Sequence, residues 1–265
     1  MGLLCNHRIR VKQPSGSVQM VSCGHCLNCS IRRQMGWTLR MCLEQSEHAF
    51  SNFTTLTYAE DVRPEKLEYE HIQTFLKRLR KSLKNGVRFF CCGEYGPKSG
   101  HPHWHLILFG PIALSTGLCH IKQWPYGHAF IGHATPQSMS YVARYALKSG
   151  VNGDKYKVTM SRRPGLGFSK IRSIASYLAT KRCELDYTPA WLRHGTRLYP
   201  LDRNARSCFE TAYVESGGSV KTLSREPAAY ELEAMLVALV GDPLSEPSRF
   251  SLRNLDRRTI ENAKI

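Results

Sequence analysis

Apolar residues recur along this chain with two periods, one near 3.6 and one of 2, in alternating blocks. From Arg32 to Glu47 the positions Met35, Leu39, Cys42 and Leu43 fall on one side of a helix. Asn52-Phe-Thr-Thr-Leu-Thr-Tyr58 is β-branched and aromatic and predicts a strand. Glu65 to Lys84 predicts an amphipathic helix, with Ile72, Phe75, Leu76, Leu79 and Leu83 on one face and Asn85-Gly86 as its stop. Strands follow over Val87–Glu94 and His103–Phe109, joined by the turn-rich loop Gly96–Gly100. Thr135-Pro136 places a capping residue before a proline at the first helical position, and opens a helix that runs to Lys148 with Gly150 beyond it. The remainder is less regular. Ser169–Arg182 and Tyr230–Val240 read as helices, and residues 241–265 as a poorly packed tail.

The order strand, helix, strand, strand, helix predicts an α+β fold: an antiparallel central sheet with helices on one face, in a ferredoxin-like topology. No internal repeat interrupts it. The chain divides into a basic cysteine-rich segment (1–50), a central domain (51–200) and a C-terminal extension (201–265).

Charge sharpens the picture. Lys and Arg number 37 against 21 Asp and Glu, a formal charge of +16, which favours a polyanionic partner and above all nucleic acid. No apolar run reaches the length of a membrane span, and Met1–Arg10 lacks the apolar region of a secretory signal. The ten cysteines are therefore expected as reduced thiols or metal ligands in a reducing cytosol.

The candidate chemistry lies in two short runs. His103-Trp104-His105 puts two imidazoles on one side of a strand, because strand side chains alternate. Mg²⁺ or Mn²⁺ would need a hard ligand beside them, and Glu94, at the end of the preceding strand of the hairpin, is the candidate. His101 shares the strand parity and is a possible further ligand. Taken alone, such a histidine pair is more often exposed or bound to structural zinc. Tyr141, Tyr145 and Lys148 share one helix face at i, i+4 and i+7. A phenol with its usual pKa of about 10 is a poor nucleophile, so it needs a metal or a cation such as Lys148 to stabilise its phenolate. A phenolate attacking a phosphodiester would leave a 5′-phosphotyrosyl link and a free 3′-hydroxyl, exchanging one ester for another without ATP. Tyrosines at this spacing are otherwise core residues.

Both runs in this order resemble the replication initiators of small single-stranded DNA bacteriophages of the microvirus group, in particular the gokushovirus-like branch. These are HUH endonucleases that start rolling-circle replication. The resemblance spans roughly residues 20–170: Cys-Gly-His-Cys-Leu-Asn-Cys at 23–29, Phe-Thr-Thr-Leu-Thr-Tyr at 53–58, Cys-Gly-Glu-Tyr-Gly at 92–96, His-Pro-His-Trp-His-Leu at 101–106, Tyr141–Lys148, and Ser-Arg-Arg-Pro-Gly-Leu-Gly at 161–167. It implies a metal held by His103, His105 and Glu94, with Tyr145 as first attacker and Tyr141 as its partner. It also implies that the central domain nicks and rejoins phage DNA, single-stranded and replicative-form, in the cytoplasm of the bacterial host. His101 departs from the expected pattern.

Weaker signals surround this site. Cys23, Cys26 and Cys29 have metal-like gaps, and structural zinc there would need a fourth ligand from Cys5, His7, His25 or Cys42. Gly93–Ser99 lacks the phosphate-loop spacing, so strand separation and synthesis would fall to host helicase and polymerase. Lys77, Arg78, Arg80, Lys81 and Lys84 form a basic helix face that could track phosphates, and Arg144 is a further candidate for contact with nucleic acid. Trp104 could stack on an unpaired base or pack into the sheet. The rival functions are a relaxase or single-strand transposase with the same chemistry, and a non-catalytic, zinc-stabilised DNA-binding protein.

Overall fold

The computed structural model describes residue 5 and residues 7–83, 86–96, 99–110, 116–148, 157–181, 185 and 188–219, with backbone only at 146–148. The elements in chain order are β1 (Ile9–Lys12), β2 (Val18–Val21), α1 (Leu27–Gln45), β3 (Phe50–Tyr58), α2 (Tyr69–Ser82), β4 (Arg88–Tyr95), β5 (Pro102–Gly110), β6 (Gly117–Cys119) and β7 (Gly127–His133). They continue with α3 (Pro136–Lys148), β8 (Lys157–Met160), α4 (Phe168–Thr180), β9 (Trp191–His194), β10 (Arg197–Pro200) and α5 (Arg203–Glu215). The expected helix at Tyr230–Val240, the C-terminal tail and the stop residues Asn85 and Gly150 lie outside the described residues.

Six strands form one antiparallel sheet in the order β6-β7-β3-β5-β4-β8, which is the expected α+β architecture. The helices divide between its two faces instead of covering one. Leu56, Cys91, Trp104, Leu106 and Leu108 meet Ile72, Phe75, Leu76 and Leu79 of α2. On the other face Phe90, Cys92, Ile107 and Phe109 meet Met41 and Cys42 of α1 and Met139, Val142 and Ala143 of α3. The reason is in β4 and β5 themselves. Phe89–Cys92 and Leu106–Phe109 are apolar at consecutive positions and buried on both sides, so each face needs a cover. Each fully buried side chain of this size contributes roughly 1.5–3 kcal/mol.

A second core, built from α1, α4, α5 and the β9–β10 hairpin, centres on Leu39, Ile171, Leu178, Phe209 and Tyr213. Helix α1 serves both cores, and it starts at Leu27, five residues ahead of the helical pattern at Arg32. The loop before α4 is tied back by Glu44 of α1. Its buried carboxylate accepts from the Gly167 backbone N–H (2.7 Å), from His48 Nε2 (3.0 Å) and from the Arg88 guanidinium of β4.

Candidate active site

Sheet register brings the histidines and the carboxylate together. Glu94 lies directly across β4–β5 from His103, and His105 lies opposite Cys92 one step down the same face. Glu94 Oε1 is 2.9 Å from His103 Nε2 and 2.9 Å from His105 Nε2. Ligand atoms of these three residues all fall within 4.8 Å of one another. That spacing suits cis ligands of a small octahedral cation, which stand about 3 Å apart at bond lengths of 2.0–2.1 Å.

The outer nitrogens fix both rings. His103 Nδ1 donates to the His101 carbonyl oxygen (3.2 Å), and His105 Nδ1 is 2.9 Å from Thr55 Oγ1 on β3. A carbonyl can only accept, so the proton of a neutral His103 sits on Nδ1 and its Nε2 lone pair faces the Glu94 carboxylate. Two acceptors at that distance repel unless a proton or a cation lies between them. The donor set therefore fits a hard divalent ion, with two imidazoles, one carboxylate and oriented outer partners. Burial pushes the Glu94 carboxyl up, but where the two rings are protonated toward it, hydrogen bonds from His103 and His105 and the His105 charge outweigh burial and bring it down to about 2; a bound cation would take the place of those protons. Burial also lowers the His105 pKa against the opposing pull of Glu94, which favours the neutral, metal-binding form.

Helix α3 brings the phenols over this cluster. It is capped reciprocally: Thr135 Oγ1 accepts from the Ser138 N–H (3.2 Å), and Ser138 Oγ accepts from the Thr135 N–H (2.9 Å). Gln34 of α1 donates to the Ser140 carbonyl at 2.9 Å and fixes its height. With Met139, Val142 and Ala143 in the core, Tyr141 and Tyr145 turn toward the histidines. The Tyr145 hydroxyl donates to the Tyr141 hydroxyl (2.9 Å), which makes a longer 3.5 Å contact to Glu94 Oε1. The Tyr145 ring stacks on His105 with centroids 5.9 Å apart. Burial raises both phenol pKa values, and the Glu94 charge adds to this. The Arg144 guanidinium lies 5.3 Å from the Tyr141 ring centroid and 5.6 Å from that of Tyr145, and its Nε is buried without a hydrogen-bond partner.

Other expected participants lie elsewhere. Trp104 is fully buried on the α2 face, its Nε1 donating to the Tyr58 hydroxyl (3.1 Å), and cannot reach a base. Strand alternation sends it away from its two histidine neighbours. Lys77, Arg78 and Lys81 are exposed, but α2 packs on the sheet face opposite the cluster, so their basic surface does not border it. His101 gives the cluster its carbonyl while its imidazole meets Arg63 at 3.1 Å. The Lys148 side chain lies outside the described residues. Thr55 was missed from sequence, although its parity with Phe53 on β3 would have placed it on the histidine face.

Residues 51–150 match the family model for the replication-associated protein ORF2/G2P. The matched span runs from β3 through α3 and holds every residue of the cluster. The chain is 30% identical over 199 residues to the replication-associated protein ORF4 of Chlamydia phage 1, covering 62% of this chain and 49% of that protein. It is 30% identical over 182 residues to the replication-associated protein ORF2 of Spiroplasma virus 4, 56% of each chain. To the replication-associated protein VP4 of Bdellovibrio phage phiMH2K it is 26% identical over 155 residues, 50% of this chain and 49% of the other. The chain thus spans about half the length of the curated relatives it matches. No solved structure matches it significantly. Among the described residues no helix is long and apolar enough to cross a membrane.

Proposed function

We propose that this chain carries the nicking and joining centre of a phage replication initiator, acting on single-stranded and replicative-form phage DNA in the bacterial cytoplasm. The observation that carries the reading is the continuous line from the Glu94–His103–His105 cluster through the Tyr141 hydroxyl to that of Tyr145. The ORF2/G2P match and the phage relatives supply its biological setting.

Glu94, His103 and His105 would hold Mg²⁺ or Mn²⁺. Such an ion supplies Lewis-acid polarisation of a phosphoryl oxygen and withdraws charge from a nearby phenol. The phenol oxygen attacks phosphorus as its proton is released, the P–O3′ bond breaks, the 5′ phosphate passes to tyrosine, and the departing 3′ oxygen takes up one proton, equal to the one released, to become a hydroxyl. One phosphodiester replaces another, so the reverse step rejoins DNA without a nucleotide cofactor. Both phenols reach Glu94, and Tyr141 is the better-placed first attacker because it is half-buried whereas Tyr145 is only 6% exposed. This inverts the order that the resemblance implies. Tyr145 holds the attacking oxygen by donation and takes the second strand. Arg144 supplies positive charge beside both rings. Duplex opening and synthesis are left to host helicase and polymerase.

The test is a covalent adduct resolved on a denaturing gel, using labelled single-stranded DNA from the phage origin with Mn²⁺. Wild type forms a metal-dependent adduct, Tyr141→Phe loses most of it at early times, Tyr145→Phe retains it, and the double variant forms none. An adduct in the double variant, or tight binding with no adduct on any viral substrate, overturns the proposal.

A further inference from the structure

Outside the histidine cluster, the described residues bring together one other dense group of metal-ligating side chains, at the start of α1. The Sγ atoms of Cys5, Cys23, Cys26 and Cys29 all lie within 4.8 Å of one another. Cys23 Sγ is 3.9 Å from Cys29 Sγ, and Cys26 Sγ is 3.8 Å from Cys5 Sγ. Sulfurs at the corners of a tetrahedron with zinc–sulfur bonds of about 2.3 Å stand about 3.8 Å apart. A disulfide needs about 2.0 Å. The group is arranged around a central point, not in bonded pairs.

Three further observations point to a cation at that centre. Backbone N–H groups already face the sulfurs: Cys23 N donates to Cys5 Sγ (3.3 Å), and Cys26 N (3.3 Å) and His25 N (3.5 Å) donate to Cys23 Sγ. Donors of this kind support thiolate ligands from the outer shell. Gly24, at φ +80°, makes the turn that aims them, and its carbonyl is held by Arg33 Nη2 at 3.1 Å. Second, Cys26 is the N-cap of α1, yet no side chain caps the helix and its first turn carries no acidic residue. Four thiolates around a divalent ion leave a net negative charge at that end, where the helix dipole favours it. Third, β1 and β2 form an isolated two-stranded sheet exposed along nearly its whole length. A hairpin of this kind is marginal in water without an anchor. Its two ends lead to Cys5 and Cys23, 18 residues apart.

We propose that Cys5, Cys23, Cys26 and Cys29 bind one structural Zn²⁺ as a closed tetrathiolate site that clamps the β1–β2 hairpin to the N-terminus of α1. Four protein ligands leave no open position, so this ion takes no part in phosphoryl chemistry, and the inference is independent of the nicking reading. The site acts on α1, and α1 carries Gln34, whose amide fixes Ser140 beside Tyr141.

The full chain, purified under reducing conditions without chelator, is assayed for metal by plasma mass spectrometry and for ligand type by zinc-edge X-ray absorption. One zinc per chain is expected, with four sulfur neighbours at about 2.3 Å. It persists in His103→Ala/Glu94→Ala and in Cys208→Ser, whereas Cys5→Ser weakens zinc retention against a competing chelator at least about tenfold. In case Cys5→Ser does not fold, wild-type protein is also titrated with a mercurial thiol reagent while a chromophoric chelator records zinc release. Release of one zinc in step with four thiols supports the site. Wild type that takes up no zinc, zinc with nitrogen or oxygen neighbours, zinc lost on changing the histidine cluster, or zinc fully retained by folded Cys5→Ser would each overturn it.

Discussion

Gly93 sits between the two halves of the site without belonging to either, and replacing it with alanine tests how the cluster is held. A Cβ at this position would lie 2.7 and 2.9 Å from two ring carbons of Trp104 and 2.8 Å from Leu67 Cδ2, where carbon contacts prefer about 3.5–4.0 Å. Trp104 has nowhere to go. It is fully buried, packed on α2 and tethered to the Tyr58 hydroxyl. Overpacking of this kind costs about 1–3 kcal/mol, and losing the indole hydrogen bond adds roughly 1 kcal/mol. Reduced freedom of the unfolded chain returns about 0.4–1 kcal/mol. Gly93→Ala should therefore lower stability by about 2 kcal/mol, or about 4–8 °C in Tm for a domain of this size. Mn²⁺ affinity should fall with it, since Gly93 pairs with Trp104 between the two histidines and neighbours Glu94. Urea denaturation and calorimetric Mn²⁺ titration measure the two effects. Removing the other clash partner should restore part of the loss, so Gly93→Ala/Leu67→Ala should be less unstable than the sum of the singles. Unchanged stability, or strict additivity in the double variant, would refute the argument.

Glu44→Gln removes a buried charge from Arg88 and should cost about 2–4 kcal/mol at pH 7, below the full penalty of a wholly buried pair because Arg88 is partly exposed. Burial raises the Glu44 pKa, but hydrogen bonds from Arg88, Gly167 and His48 outweigh it, so the folded value is depressed. Its stabilisation is thus full above the unfolded carboxyl pKa of about 4.3 and lost as pH falls below it; the gap between wild type and variant in urea should shrink between pH 5 and pH 3. Glu94→Gln should weaken Mn²⁺ binding at least about tenfold by calorimetry while leaving the cysteine-bound metal in place. Lys77→Glu with Lys81→Glu should change the rate of adduct formation by less than about twofold at moderate salt, since the affected surface lies across the sheet and charges beyond a Debye length of about 10 Å are screened. A larger loss would place DNA on α2.

The geometry legible in the sequence was that fixed by a single local period. Strand alternation unites His103 and His105, and helical spacing unites Tyr141 and Tyr145. The same alternation sends Trp104 to the opposite face, a consequence easily overlooked because a strand apolar on both sides offers no inside or outside. The layer occupied by α2 could not be read: an amphipathic helix specifies that it packs, not on which face of a two-sided sheet. The short strands β6, β8, β9 and β10 carry three or four residues each, too few for a period to emerge. Cys5 was one of four residues that could have joined Cys23, Cys26 and Cys29, and only the folding of the intervening hairpin brings it beside them.

The two phenol oxygens stand 2.9 Å apart and share one proton bridge. Phosphate groups are too bulky and too strongly charged to be esterified to both at that separation. While α3 keeps this shape, a strand end held by one tyrosine excludes a second from its neighbour. On the proposed chemistry the pair is a turnstile: a new strand end enters only as the old one leaves, and each turn begins and ends with an empty hand.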